Sequence, residues 1–343
     1  MPYPFAVAIA RQQTVRPIQP MAAALLHLTA FLAHDPIPVA MIEKAVRHIE
    51  EAMFLLGDEF GGRMEPQPIG SVLAELAGSS LIRRQDERTF TVHRIVQTSL
   101  RDQIPAGQQR DWIAIALRIV DGAAVGDPED PRSWPAWNLL SPHALRIVAL
   151  ADEAGVAEPT SRLMNQLGLL LWRQGRHQEA EPLLRRALTL DESLLGLDHT
   201  QVAVRLNNLA QLFQDTDRLG EAEILMQRAL EIWERTRGPW HPHVATALNN
   251  LAQLLQATVR QWDAEPLMRR ALEIDEAALG PEHPHVARDL NNLALFLQDT
   301  SRRGEAEPLM RRALALFEAT LGPGHPSTRT VRDNLEVLLA EMG

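Results

Sequence analysis

The sequence predicts a mainly α-helical chain in two halves, a small helical domain closed by a β-hairpin and then an α-solenoid of stacked helix pairs. Three observations lead there. A pattern recurs four times, each start 42 residues after the last, at Met164-Asn165-Gln166-Leu167-Gly168, Leu206-Asn207-Asn208-Leu209-Ala210, Leu248-Asn249-Asn250-Leu251-Ala252 and Leu290-Asn291-Asn292-Leu293-Ala294. Small residues recur inside each copy where two helices must touch. Residues 80–92 read as strand, turn, strand. A fixed period of this size marks units that bury a core only by stacking on their neighbours.

Composition sets the outer limits. The 343 residues carry 34 basic and 44 acidic side chains, a formal charge of −10, which argues against indiscriminate nucleic-acid binding by the whole chain. Cysteine is absent, so disulfides and thiolate metal sites are excluded. Met1 to Ala10 is apolar but short and lacks a basic leader, and no apolar run approaches membrane-spanning length. A cytoplasmic chain without membrane contact is expected. Only Lys44 among the basic residues is lysine; the arginines suit bidentate carboxylate pairing, and a GC-rich genome would favour their codons.

After an N-terminal segment (1–19), the first domain spans residues 20–104. An apolar helix, Ala22 to Ala33, runs into Asp35-Pro36-Ile37-Pro38 and a second helix, Val39 to Leu56. A Gly/Pro-containing loop, Gly61 to Pro68, precedes a helix around 69–77. The hairpin follows, and His93 to Arg101 opens another helix. Helices followed by a small hairpin make this a winged-helix-like domain. Residues 105–158 form a helical adaptor in which Trp112, Trp134 and Trp137 serve as aromatic anchors around a polar loop, Gly126 to Pro131.

Residues 159–343 are the repeats. The first helix of each carries Gly168, Ala210, Ala252 and Ala294; the second carries Ala180, Ala222, Ala264 and Ala306, then Ala187, Ala229, Ala271 and Ala313. Leu171, Phe213, Leu255, Leu297 and Leu184, Met226, Met268, Met310 fill the space between, on one helical face. Gly238-Pro239, Gly280-Pro281 and Gly322-Pro323 fit helix ends, and His241-Pro242, His283-Pro284 and His325-Pro326 fit the next helix starts. A last helix, Thr328 to Met342, departs from the pattern with polar residues outward, as a terminal cap requires. The recurring histidines do not predict a metal ladder, because equivalent residues stand on the order of 10 Å apart, set by helix packing. Zinc needs ligands near 2 Å.

These repeats resemble the tetratricopeptide repeat, specifically the 42-residue variety of kinesin light chains and many bacterial proteins. The resemblance rests on L-N-N-L-A (290–294), E-A-E-P-L-M-R-R-A-L (305–314) and L-G-P-E-H-P-H-V-A (279–287). It implies that the first helices line a concave groove whose asparagines bond a bound peptide's backbone. The candidates are Asn207, Asn208, Asn249, Asn250, Asn291 and Asn292, with Gln211, Gln214, Gln253, Gln256 and Gln298 one or two turns on. Amides offer donors and acceptors together, which suits a peptide of variable sequence. The competing reading is that one asparagine of each pair bonds its neighbouring repeat.

The first domain resembles the winged-helix region that follows the nucleotide-binding domain of STAND-type (NB-ARC/TPR) signalling NTPases, through L-L-H-L-T-A-F-L-A-H-D-P-I-P (25–38), L-A-E-L-A-G-S-S-L-I-R-R (73–84) and T-V-H-R-I-V-Q (91–97). In that family a Met-His-Asp motif touches the diphosphate of ADP; Val92-His93-Arg94 occupies the matching place, so the resemblance gives His93 a nucleotide-sensing role when an NTPase domain is present. The sequence has no G-x-x-x-x-G-K-[ST], which excludes a complete ATPase, and no catalytic constellation presents itself. No cofactor is expected, ADP or ATP entering only with an NTPase domain in cis or trans. The expected function is non-enzymatic protein or peptide recognition, as the sensor half of such a regulator. The alternative is a DNA-binding transcription regulator with a repeat sensor. It rests on Arg83, Arg84, Arg88, Arg94 and Arg101 against Asp86 and Glu87, a local surplus of three.

Overall fold

A computed structural model describes residues 18–56, 67–258 and 260–342. Most of the N-terminal segment and most of the loop expected at 61–68 lie outside the described residues. The chain divides into two compact units, up to Leu190 and from Asp191 onward.

The first unit opens with α1 (Pro20–Thr29), β1 (Ile37–Pro38), α2 (Val39–Lys44), α3 (Val46–Leu55) and α4 (Ile69–Gly78). The hairpin β2 (Ile82–Arg84) and β3 (Thr89–Val92) leads to α5 (Arg94–Gln103), α6 (Ala106–Ala123) and α7 (Trp134–Glu153). The one long helix expected at 39–56 is broken at Ala45, whose φ of −98° and ψ of 9° leave the helical region. The three strands form one antiparallel sheet in the order β1-β3-β2, with Ile37 and Arg84 both opposite Phe90. Period-two alternation puts Phe90 and Val92 inward, and both are buried. They join Leu25, Phe31, Ile42, Ile49 and Leu73 in one core.

Buried polar groups tie these elements together. Gln97, 1% exposed, donates from Nε2 to the Thr29 carbonyl at 2.7 Å, and Arg101 donates to the Ala30 carbonyl at 3.1 Å. The adaptor's Trp112 and Trp137 are each 1% exposed, while Trp134 is half-buried with its indole N–H on the Pro128 carbonyl at 3.1 Å. The first helix pair, α8 (Thr160–Arg173) and α9 (His177–Leu195), shares the core of this unit through Leu163, Leu167, Leu170 and Ala187.

The second unit continues with α10 (Thr200–Asp215) and α11 (Leu219–Arg237), α12 (Pro242–Gln256) and α13 (Ala264–Leu279), α14 (Pro284–Asp299) and α15 (Arg303–Leu321), and the cap α16 (Pro326–Met342). α10 packs on α11, and α12 and α14 each pack on their own second helix and on the second helix before it. The alanines at 210, 222, 229, 252, 264, 271, 294, 306 and 313 are all buried, which is why helix pairs approach closely. The second helices end at Gly238, Gly280 and Gly322, with φ of 87°, 90° and 86° and ψ of 158°, 155° and 160°. That is a region open essentially to glycine alone, so the glycines set the turn rather than merely tolerating it.

The histidines at the unit boundaries have a defined job. His199, His241, His283 and His325 each accept at Nδ1 from the backbone N–H two residues on, at 3.1, 3.1, 3.2 and 3.2 Å. The imidazole therefore does what serine or aspartate does at an N-cap, and Pro242, Pro284 and Pro326 after three of them need no partner for their nitrogens. His283→Ala is expected to lower stability by about 1 kcal/mol, and His283→Ser to restore most of it, in urea unfolding of the chain.

Arginine is spent largely inside the molecule. Within the second unit two rows of inter-repeat pairs run at fixed register: Arg228–Glu192, Arg270–Glu234 and Arg312–Glu276 at 2.5, 2.7 and 2.7 Å, then Arg260–Glu223 and Arg302–Glu265 at 2.6 and 2.7 Å. Each exposed pair contributes little by itself.

Candidate partner-binding groove

Between buried leucines, the first helices α10, α12 and α14 leave a stripe of less buried side chains at spacings of three and four. On α10 this is Val204, Asn208, Gln211 and Asp215; on α12, Thr246, Asn250, Gln253 and Ala257, the last just past the helix end; on α14, Arg288, Asn292, Leu295 and Asp299. Read across the repeats, an asparagine column at 208, 250 and 292 stands beside a column of Gln211, Gln253 and Leu295. Gln253 is exposed, and Gln211, Gln214, Gln256 and Gln298 are half-buried. Gln298 donates to Glu341 at 3.1 Å.

The paired asparagines divide their labour. The second of one repeat donates to the first of the repeat before it: Asn250 Nδ2 to Asn207 Oδ1 at 2.7 Å, and Asn334 Nδ2 to Asn291 Oδ1 at 3.2 Å. Asn249 departs from the groove assignment. It is 2% exposed and donates to Asp289 at 2.7 Å, so its amide is committed to the neighbouring repeat rather than to a ligand. The physical reason is the partner: at the same register Asn207 and Asn291 stay half-buried, whereas Asn249 has Asp289 to donate to, where the equivalent positions hold Ala247 and Val331.

A column that sequence reasoning missed joins each second helix to the next first helix. Equivalent positions hold Asp191 and Arg205, then Trp233 and Ala247, then Asp275 and Asp289, then Phe317 and Val331. The first set is a buried ion pair, Arg205 Nε to Asp191 Oδ2 at 2.8 Å. The second and fourth match a large apolar residue with a smaller one. The third places two fully buried carboxyls together, with Arg288 NH2 at 3.3 Å from Asp275 and 2.8 Å from Asp289. Burial pushes Asp289 up to about 7, opposed by Arg288. The signal was legible in one way only: an aligned column that alternates apolar and charged residues.

His93 caps α5, its Nδ1 accepting from the Ile95 N–H at 3.2 Å, and its ring is exposed. Of the basic residues weighed for DNA, Arg101 is tied to the Ala30 carbonyl, while Arg83, Arg84, Arg88 and Arg94 are exposed. The helix ahead of the hairpin, α4, has Glu75 as its one charged residue, and α5 behind it adds Arg94 and Arg101 against Asp102. Among the described residues no group of three or more His, Cys, Asp or Glu side chains could hold a metal ion, and no helix is long and apolar enough to cross a membrane.

A tetratricopeptide-repeat family model matches residues 159–230 and 206–277, and a second matches 287–327. The helix pairs are tetratricopeptide repeats. Such repeats are protein–protein interaction modules and generally non-catalytic scaffolds. Residues 14–109 match a domain of unknown function, DUF7779. None of the curated proteins compared with the chain matches it. Among solved structures, the tetratricopeptide-repeat chain is similar to BtubC (BKLC) from P. vanneervenii, at 21% identity and TM-score 0.47 over 84% of this chain and 93% of that one. A Podosopora anserina kinesin light chain with nearly identical repeats gives 20% identity and TM-score 0.46 over 62% and 91%. The STAND protein PH0952 from Pyrococcus horikoshii, which has a tetratricopeptide-repeat sensor, gives 11% and 0.48 over 99% of this chain and 52% of that one.

Proposed function

We propose that the second unit binds an extended peptide of a protein partner along the exposed faces of α10, α12 and α14. The observation that carries this is the pair of amide columns, Asn208, Asn250 and Asn292 beside Gln211 and Gln253, repeated at one register on consecutive helices. An extended chain presents alternating N–H and C=O groups, and amides at a regular spacing answer both. The stitch from Asn250 to Asn207 supports the reading, because it fixes the orientation of the column's middle amide. Side chains held in place lose less freedom on binding.

The finer reading is a sensor and regulatory half that works with a STAND-type NTPase domain in cis or trans. The residues 91–97 support it, with His93 exposed at the start of α5. Its Nδ1 serves the cap, so its Nε2–H is the edge free to meet a phosphate oxygen. The DNA alternative has the hairpin arginines and Arg94, but α4 beside them carries no basic residue and Arg101 is tied to the Ala30 carbonyl.

Peptides selected from a random display library on the purified chain test the groove. Substituting Asn208, Asn250 and Asn292 together with alanine is expected to weaken the selected peptides by tenfold or more, about 1.4 kcal/mol, with the helical circular-dichroism signal unchanged. Undiminished binding by the folded variant would remove the groove assignment.

A further inference from the structure

Asp275 on α13 and Asp289 on α14 are each completely buried and lie against one guanidinium, Arg288 NH2 standing 3.3 Å from the first and 2.8 Å from the second. Two ionised carboxyls brought together in this way can only accept, so neither satisfies the other unless one of them carries a proton. The oxygens not taken by other partners are Asp275 Oδ1 and Asp289 Oδ2, both buried without a donor. Asn249, which donates to Asp289, has its Oδ1 buried without a hydrogen bond, and so has His285 Nδ1, 3.7 Å from Asp275 Oδ2. Buried carboxyl oxygens without a donor are costly, and one proton shared between the two acids supplies it.

The equivalent joint two repeats earlier shows the contrast. There Asp191 meets Arg205, and the charges cancel. Here the arginine position holds a second aspartate, and the one guanidinium, Arg288, comes from the adjacent residue and serves both carboxyls. The sum is two negative charges against one positive. Burial forbids leaving the excess uncompensated, and like charges in contact cannot both ionise cheaply.

We propose that the joint between the third and fourth repeats is a proton-binding joint: Asp275 and Asp289 hold one proton between them, and its release loosens the α13–α14 contact. The charged and titratable groups around the pair are these. From α12 come Asn249 and, acting on His285, His243; from α14, His285 and Arg288; α13 contributes Asp275 itself. Among the described residues α15 sends no charged group to it. The sign follows from where the proton is held. Asp289 stands above its ordinary value of 3.8, so the folded chain binds the proton more tightly than the unfolded one. Stability from this pair is full at low pH and declines as pH rises from about 4 to about 7. His243 and His285 are held below their ordinary values, chiefly by burial, and act in the opposite sense, losing stability as pH falls.

Infrared spectroscopy of the full chain reads the proton directly. At ~pH 5.5, below the raised value, a carbonyl band of a buried protonated carboxylic acid is expected, disappearing by ~pH 8.5 and absent from Asp289→Asn. The melting temperature of wild type relative to Asp289→Asn is expected to fall across the same window, the subtraction cancelling the two histidines. Asp275→Asn makes the same comparison if Asp289→Asn does not fold. A wild-type spectrum without the band at ~pH 5.5, or pH profiles of melting that superimpose, overturns the proposal.

Discussion

Arg205→Ala is expected to destabilise the repeat unit by about 3–5 kcal/mol, because it strands Asp191 as a buried, uncompensated charge. Asp191 is 2% exposed and Arg205 8%, so neither has water to fall back on. The loss should appear as a lower urea midpoint with an unchanged slope. The neighbouring joint supplies the control. Asp191→Trp with Arg205→Ala copies the Trp233 and Ala247 combination, and most of the stability should return. A single substitution costing under about 1 kcal/mol, the range of an exposed pair, would show that the joint is wetter than its burial indicates.

The second large effect concerns a glycine. A Cβ on Gly168 would stand 2.6 Å from Leu184 Cγ and 2.7 Å from its Cδ2. The equivalent positions elsewhere are Ala210, Ala252 and Ala294, opposite Met226, Met268 and Met310. Glycine thus pairs with branched leucine and alanine with unbranched methionine, since the flexible thioether can lie beside a methyl where a leucine fork cannot. Gly168→Ala is expected to cost about 1–3 kcal/mol in thermal unfolding, and Leu184→Met in the same chain to recover most of it. If the double variant is no better than the single, the backbone rather than Leu184 resists the methyl.

What could be read from the sequence follows from how far each signal reaches. The repeat boundaries were legible because proline, glycine and the helical period act locally, and Pro242 and Gly280 stand where those rules place them. The hairpin at 82–92 was legible for the same reason. The break at Ala45 was not, since nothing in Val39 to Leu56 forbids a continuous helix and the interruption is imposed by packing. The groove was half legible. The amide columns follow from spacing, but which asparagine of a pair faces a neighbour depends on its rotation about the helix axis. Asn249 turned inward because Asp289 is its partner 40 residues away. His93 shows the same limit: a motif marked the residue, while the cap it makes on α5 is a matter of backbone geometry.

The four unlike joints have a consequence for how the chain finds its own order. Repeats this similar present one another with nearly interchangeable apolar surfaces, and interchangeable surfaces invite pairing with the wrong neighbour or with another chain. The rows of arginine–glutamate pairs cannot prevent it, because they repeat at the same register. An ion pair, a tryptophan against alanine, a protonated acid pair and a phenylalanine against valine cannot be exchanged without stranding a charge or opening a void. They work as keys cut differently for each lock, so that the array assembles in one sequence.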